Sequence, residues 1–268
     1  MFLRSCVHSV KVIMILGCLM PVAALVICIH LCIHMGKCLA THCTDMNILP
    51  SLSAAISDEM PQRAVWITSL LLSSLIRVLL IPHGYSWYKQ ATSRAIDGDF
   101  TCIIKTMFIV NVVEILFLNV MSIFPSAHRY EAHRNSLTIF VFSSVLYMIC
   151  DTCLFSLLTQ HVSATYMVKR KRTKQFLLAT YVLSLCIVAL CYFVHTAYCP
   201  PYVYSIFSFF EYVGIVINVC YHYTVYRFIE NRPLYTVLDY WSSGTDFTEM
   251  ESLNYSAFDT NAPVIPYA

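Results

Sequence analysis

The chain has 268 residues, of which 58% are hydrophobic and 12% charged, with 17 Lys and Arg against 15 Asp and Glu for a net charge of +2. A water-soluble domain of this size needs far more surface charge, so the composition excludes a soluble globular protein. The near-balanced charge gives no reason to expect a nucleic-acid partner.

A hydrocarbon core about 30 Å thick takes roughly 20 apolar residues of helix. Six runs reach that scale: 12–33, 64–81, 103–124, 137–158, 176–194 and 203–225. A single chain segment satisfies its own backbone in lipid only as a helix. The pattern therefore predicts an all-α, polytopic six-helix transmembrane bundle with a lumenal loop after the first helix and a flexible cytoplasmic tail. Its expected divisions are an N-terminus at 1–11, the membrane domain at 12–229 and a disordered acidic tail at 230–268.

The first run follows Arg4 and Lys11 but is too long for the apolar core of a cleaved signal peptide, and Pro21 is tolerated in a membrane helix. Orientation follows from where Lys and Arg flank the membrane. With the N-terminus in the cytoplasm, that side holds twelve, among them the run Lys169, Arg170, Lys171, Arg172 and Lys174. The other side holds Lys37, Arg63, Arg129 and Arg134. Both termini are thus expected to be cytoplasmic, and the basic run reads as a topology signal.

The stretch 41–66, THCTDMNILPSLSAAISDEMPQRAVW, is the only sizeable polar segment between two apolar runs and is expected to face the lumen. Residues 82–102 read as a cytoplasmic loop, 125–136 and 195–202 as lumenal ones. The lumenal side gathers His34, His42, His128, His133 and His195, but none has the spacing of an HExxH or CxxC site, so neither a metal nor a cofactor is expected. Of thirteen cysteines most lie within the apolar runs. Cys38, Cys43 and Cys199 fall on the oxidising side, which suggests one pair and one spare thiol.

Ionisable groups inside hydrocarbon are costly and usually face a bundle interior or a polar cavity. The second run carries Arg77, the third Glu114 with Asn111 and Asn119, the fourth Asp151 and the sixth Glu211. At 100° per residue Ser208, Glu211, Gly214, Asn218 and His222 share about a third of the helix circumference, a polar stripe that must point inward. Arg77, Glu114, Asp151, Glu211, Asn218 and His222 are the residues expected to line an intramembrane polar cavity, with Arg77 able to neutralise one of the acids. Asn111 and Asn119 read more simply as contacts that fix helix packing.

Several of these residues fall into longer motifs. Thr41-His-Cys43, Asn47-x-Leu49-Pro50-Ser51-x-Ser53, Pro61-Gln62-Arg63 with Val65-Trp66, His133-x-Asn135, Tyr192-Phe-x-His195-x-x-Tyr198-Cys199 and Ile206-Phe207-x-x-x-Glu211-Tyr212 occur in this order across the membrane domain. In order and spacing they resemble the family of post-GPI-attachment-to-proteins factor 2, within a superfamily that also contains the damage-regulated autophagy modulators. The resemblance implies a Golgi or ER membrane protein. It implies lipid remodelling of GPI anchors, in which a saturated acyl chain is re-added to the lyso-GPI lipid. The implied partners are membrane lipids, the lipid moiety of GPI-anchored proteins and other GPI-remodelling proteins.

It also implies pairing of Cys43 with Cys199, since both belong to matched motifs, and singles out Leu49, Pro50, Ser51, Ser53, Pro61, Gln62 and Arg63 as a lumenal motif. The chain departs from the family's pattern at residues 57–60 and at Ile67, where its substrate handling is expected to differ. Three roles stay open: a lipid-presenting accessory factor, an acyltransferase with His133 or His195 as the base, and a non-enzymatic modulator of trafficking or autophagy. The accessory role leads, because no acyltransferase signature is recognisable. The 41–66 stretch is expected to fold over the polar stripe as a lid.

Overall fold

A computed structural model describes residues 2–35, 38–39, 41–43, 46–57, 60–161 and 165–227, with side chains from Lys11 onward. Among the described residues there are seven helices: α1 (Phe2–Met35), α2 (Leu52–Ala55), α3 (Gln62–Ala95), α4 (Thr101–Ile123), α5 (Tyr130–His161), α6 (Thr165–Tyr198) and α7 (Val203–Tyr226). All but α2 are long and apolar enough to cross a membrane, so the chain is a six-helix membrane bundle. The acidic tail, Lys37 and the departures at Asp58 and Glu59 lie outside the described residues.

The long helices form a closed ring in the order α1, α3, α4, α5, α6, α7 and back to α1. Two apolar clusters hold it. The smaller one seats Leu52 and Ile56, from α2 and its C-cap, against Ala24, Leu25 and Cys28 of α1 and Trp66 and Leu70 of α3. The larger one, around Tyr88, Met107, Tyr147, Phe155, Tyr221 and Tyr226, draws on all six long helices. Helix crossings are close where a side chain is missing. A Cβ on Gly84 would lie 2.9 Å from the Phe108 ring, so α3 and α4 meet there only because position 84 is glycine.

Three expectations are corrected. The segment read as a loop at 82–102 is mostly helix: α3 runs through Pro82 to Ala95, because His83, Ser86, Tyr88 and Thr92 are buried and the Thr92 hydroxyl donates to the Tyr88 carbonyl at 2.8 Å. At 34 residues α3 is about 50 Å long, well beyond the lipid core. Cys38 is no spare thiol, since it is joined to Cys32 in the last turn of α1, a residue counted among those in lipid.

Lys174 is the third correction. It lies nine residues inside α6, is 1% exposed, and forms an ion pair with the fully buried Asp151 of α5. The Tyr88 and Tyr221 hydroxyls donate to the two oxygens of the same carboxylate at 2.5 and 2.7 Å, so four helices converge on Asp151. Arg77 was the cation expected to serve the buried acids, and Asp151 has its own.

Removing one partner of such a pair strands a buried charge, at a cost of about 3–5 kcal/mol, whereas replacing both by apolar residues of similar volume is often neutral. Asp151→Ala is therefore expected to lower the thermal unfolding midpoint of the detergent-solubilised protein sharply, and the double change Asp151→Asn with Lys174→Met, which removes both charges yet keeps an acceptor for the tyrosine hydroxyls, to recover most of it. Equal loss in the single and double variants would contradict this.

Candidate functional site

The residues from Ile48 to Ala54 enter the bundle and are held by α7. The hydroxyl of Ser205 accepts from the Ile48 and Leu49 N–H groups at 2.8 and 3.3 Å. The Tyr212 hydroxyl donates to the Pro50 carbonyl, and the Tyr204 hydroxyl donates to Ser51 Oγ at 2.8 Å. Ser51 Oγ in turn accepts from the Ala54 N–H at 3.1 Å, capping α2. One carboxylate oxygen of Glu211 accepts from the Leu52 N–H at 2.9 Å.

Glu211 stands eight residues from the start of α7, about 12 Å along the helix. Backbone at that depth is tolerated only where protein satisfies its polar groups. Each of these contacts supplies a partner that water would otherwise have to provide.

The rest of the motif anchors the flanks. Cys43 and Cys199 are joined by a disulfide, and the Tyr202 N–H donates to the Met46 carbonyl at 3.3 Å. The segment before α2 is thereby tied to the α6–α7 turn, where Cys199 (φ 46°) and Tyr202 (φ 64°) are left-handed. Pro61 is the N-cap of α3. The side chain of Gln62 is fully buried, its amide donating to Met35 Sδ at 3.2 Å. Arg63 donates to the Ile123 carbonyl at 2.9 Å, which places a cation at the C-terminus of α4.

Beneath α2 lies a cavity of about 980 Å3, at the upper end of the roughly 300–1,000 Å3 typical of ligand sites. Its middle is walled by apolar side chains such as Leu70, Leu118, Val145 and Leu185. Polar groups gather at its two ends, Ser51, Ser53, His133 and Glu211 around α2, and Arg77, Asn218 and His222 at the other. Phe142 of α5 and Val182 of α6 line the cavity and are also 70% and 37% exposed on the bundle surface. The cavity thus reaches the outside between α5 and α6.

At the far end Arg77 lies 3.2 Å from Glu114 Oε2 and donates to Asn111 Oδ1 at 3.0 Å. The other Glu114 oxygen accepts from Asn218 Nδ2 at 3.1 Å and lies 2.8 Å from His222 Nε2. Tyr147 stacks on the His222 ring at 5.3 Å. Four of the six residues expected to share a polar cavity, Arg77, Glu114, Asn218 and His222, form this one cluster. Glu211 belongs to the opposite end and Asp151 to the separate pair with Lys174.

The two candidate bases separate just as clearly. His133 lines the cavity, with Nε2 3.2 Å from Ser53 Oγ and Nδ1 3.1 and 2.9 Å from the Met121 and Phe124 carbonyls. His195 is packed between the rings of Tyr204 and His42, outside the cavity wall. Sequence reasoning passed over Tyr204 and Ser205. Tyr204 continues the Ser208, Glu211 stripe one turn earlier at the i−4 position, which is the signal that would have found it.

The family model for the Frag1/DRAM/Sfk1/Cwh43P N-terminal domain matches residues 9–228. The chain is 33% identical over 188 residues to post-GPI attachment to proteins factor 2 of Drosophila pseudoobscura pseudoobscura, covering 69% of this chain and 71% of that one. It is 30% identical over 217 residues to acyltransferase PGAP2 of Xenopus tropicalis, covering 80% and 85%. With post-GPI attachment to proteins factor 2 of Caenorhabditis elegans it shares 28% over 214 residues, 77% and 80%. No solved structure matches the chain.

An unsatisfied buried amide costs about 1–3 kcal/mol, and 1.4 kcal/mol is a factor of ten in an opening equilibrium. Glu211→Ala is expected to speed hydrogen exchange at the amides of α2 by about ten- to a hundredfold, while Glu211→Gln, which keeps an acceptor oxygen, stays near wild type. Unchanged protection in Glu211→Ala would show that α2 does not depend on this contact.

Proposed function

The chain belongs to the Frag1/DRAM/Sfk1/Cwh43P family, and on that footing we propose that it acts in GPI-anchor maturation, supporting re-addition of a saturated acyl chain to the lyso-GPI lipid and so surface expression of GPI-anchored proteins. The names of its relatives support the process. The observation that carries the lipid step is the cavity, apolar along its length, polar beneath α2 and open at the bundle surface between α5 and α6. An acyl chain entering sideways from the bilayer would lie along the apolar wall, with its glycerol and headgroup at the polar end formed by Ser51, Ser53, His133 and Glu211.

In this reading α2 faces the lumen of the Golgi, or of the ER before it, and both termini and the 230–268 tail are cytoplasmic. The partners are membrane lipids, the lipid moiety of GPI-anchored proteins and neighbouring remodelling proteins. Arg77, Glu114, Asn218 and His222 close the far end and hold α3, α4 and α7 in register, while Asp151 with Lys174 fixes α5 against α6.

Cells lacking the chain should show GPI anchors depleted in saturated sn-2 chains and reduced surface display of GPI-anchored proteins, by mass spectrometry of released anchors and by flow cytometry. Wild-type anchor composition in those cells would remove the GPI reading and leave a trafficking or autophagy role.

A further inference from the structure

Two serines of the re-entrant segment differ in what their hydroxyls do. Ser51 Oγ accepts from both the Ala54 N–H and the Tyr204 hydroxyl, so its lone pairs are committed. Ser53 Oγ lies at the cavity wall, 3.2 Å from His133 Nε2. The Nδ1 atom of His133 faces two carbonyl oxygens, those of Met121 and Phe124. Carbonyls only accept, so Nδ1 carries the proton and Nε2 presents its lone pair to Ser53.

The ring orientation is thus set by the backbone at the end of α4, in the way a third group orients the base in a nucleophile–base pair. Glu211, by fixing the Leu52 amide, is a positioning residue for Ser53, which follows it in α2.

We propose that Ser53 and His133 form a catalytic dyad for acyl transfer, Ser53 as the nucleophile and His133 as the general base, with an acyl ester or thioester as donor and the free hydroxyl of a lyso-lipid as acceptor. The inference rests on the lipid re-acylation reading above. Ser53 gives its proton to His133 Nε2 as Oγ bonds to the donor carbonyl carbon. The bond from that carbon to the donor alcohol or thiol breaks, and the leaving group takes the proton from His133. The lyso-lipid hydroxyl then gives its proton to Nε2 and attacks the Ser53 ester. The bond to Oγ breaks as the proton returns to Ser53. The acyl group has moved between two oxygens, or from sulfur to oxygen, with no change of oxidation state.

The test uses the full chain in liposomes containing lyso-phosphatidylinositol, with an alkyne-tagged stearoyl chain offered in one arm as a coenzyme A thioester and in the other as a phosphatidylcholine ester. The arm that labels identifies the donor class. Wild type is expected to carry the tag on Ser53 as an oxyester resistant to neutral hydroxylamine. Ser53→Cys should carry it as a thioester that neutral hydroxylamine cleaves, a readout that a merely structural serine would not produce. Ser53→Ala should carry none, and His133→Gln should label and transfer about a hundred- to ten-thousandfold more slowly.

Transfer by Ser53→Ala at the wild-type rate, or transfer by wild type with the tag absent from residue 53, would overturn the dyad. A parallel rescue of cells lacking the chain separates the two levels. If wild type and Ser53→Ala restore saturated anchors equally, or if wild type restores them yet transfers no acyl group in liposomes, the dyad falls and lipid handling stands. If loss of the chain leaves anchors unchanged, the re-acylation reading itself falls, and the dyad as assigned here with it.

Discussion

A stretch of backbone lowered among membrane helices must find a partner for every polar group, and the segment 48–54 finds its partners on α7. Ser205, Tyr204, Tyr212 and Glu211 satisfy two turn amides, the Ser51 hydroxyl, the Pro50 carbonyl and the Leu52 amide over about two turns of one helix. The consequence is a polar surface built at depth, a device that bare transmembrane helices lack. Leu52 and Ile56 add an apolar seat between α1 and α3, and the Cys43–Cys199 disulfide ties the chain above it to the α6–α7 turn. The roof of the cavity is therefore fixed by three independent means.

The buried charges do a different task. Arg77 with Glu114 and Lys174 with Asp151 are each neutralised within the bundle and joined by hydroxyl, amide or imidazole groups, which makes them costly to separate and specific about which helices meet. With their partners they join five of the six long helices, α3 to α7, on the side of the cavity away from α2. Between these two polar layers the wall is apolar, and at α5 and α6 it communicates with the bundle surface. An amphiphile meets the same sequence of environments in a bilayer leaflet, and it would find them here in the same order.

The six long helices follow from run length alone, and the inward polar stripe of α7 follows from its period, because both signals are local. The stripe's division into two ends was hidden: Glu211 was expected beside Asn218 and His222, but the depth reached by α2 assigns it to the other layer. That depth had no readable signal, since four helical residues carry no periodicity and the carboxylate that meets Leu52 lies 159 residues away. Lys174 was masked by its neighbours, because a dense basic run reads as a surface whatever one member does. The seven-residue spacing of Met167, Lys174 and Tyr181, all buried on α6, is the trace of its inward turn. His133 and His195 are equivalent in the sequence as lumenal histidines, and only the tertiary structure separates the one at the cavity from the one packed between Tyr204 and His42.

In the proposed function the cavity under α2 receives a membrane lipid from between α5 and α6. Photo-crosslinking of the purified chain in nanodiscs with a lyso-phosphatidylinositol that carries a diazirine in its acyl chain tests it most directly. Adducts are expected on the cavity-facing residues of α5 and α6, Val145 and Leu185 among them, and competed by unlabelled lipid. Adducts confined to outward residues such as Leu72 and Ile109, with no competition, would contradict it.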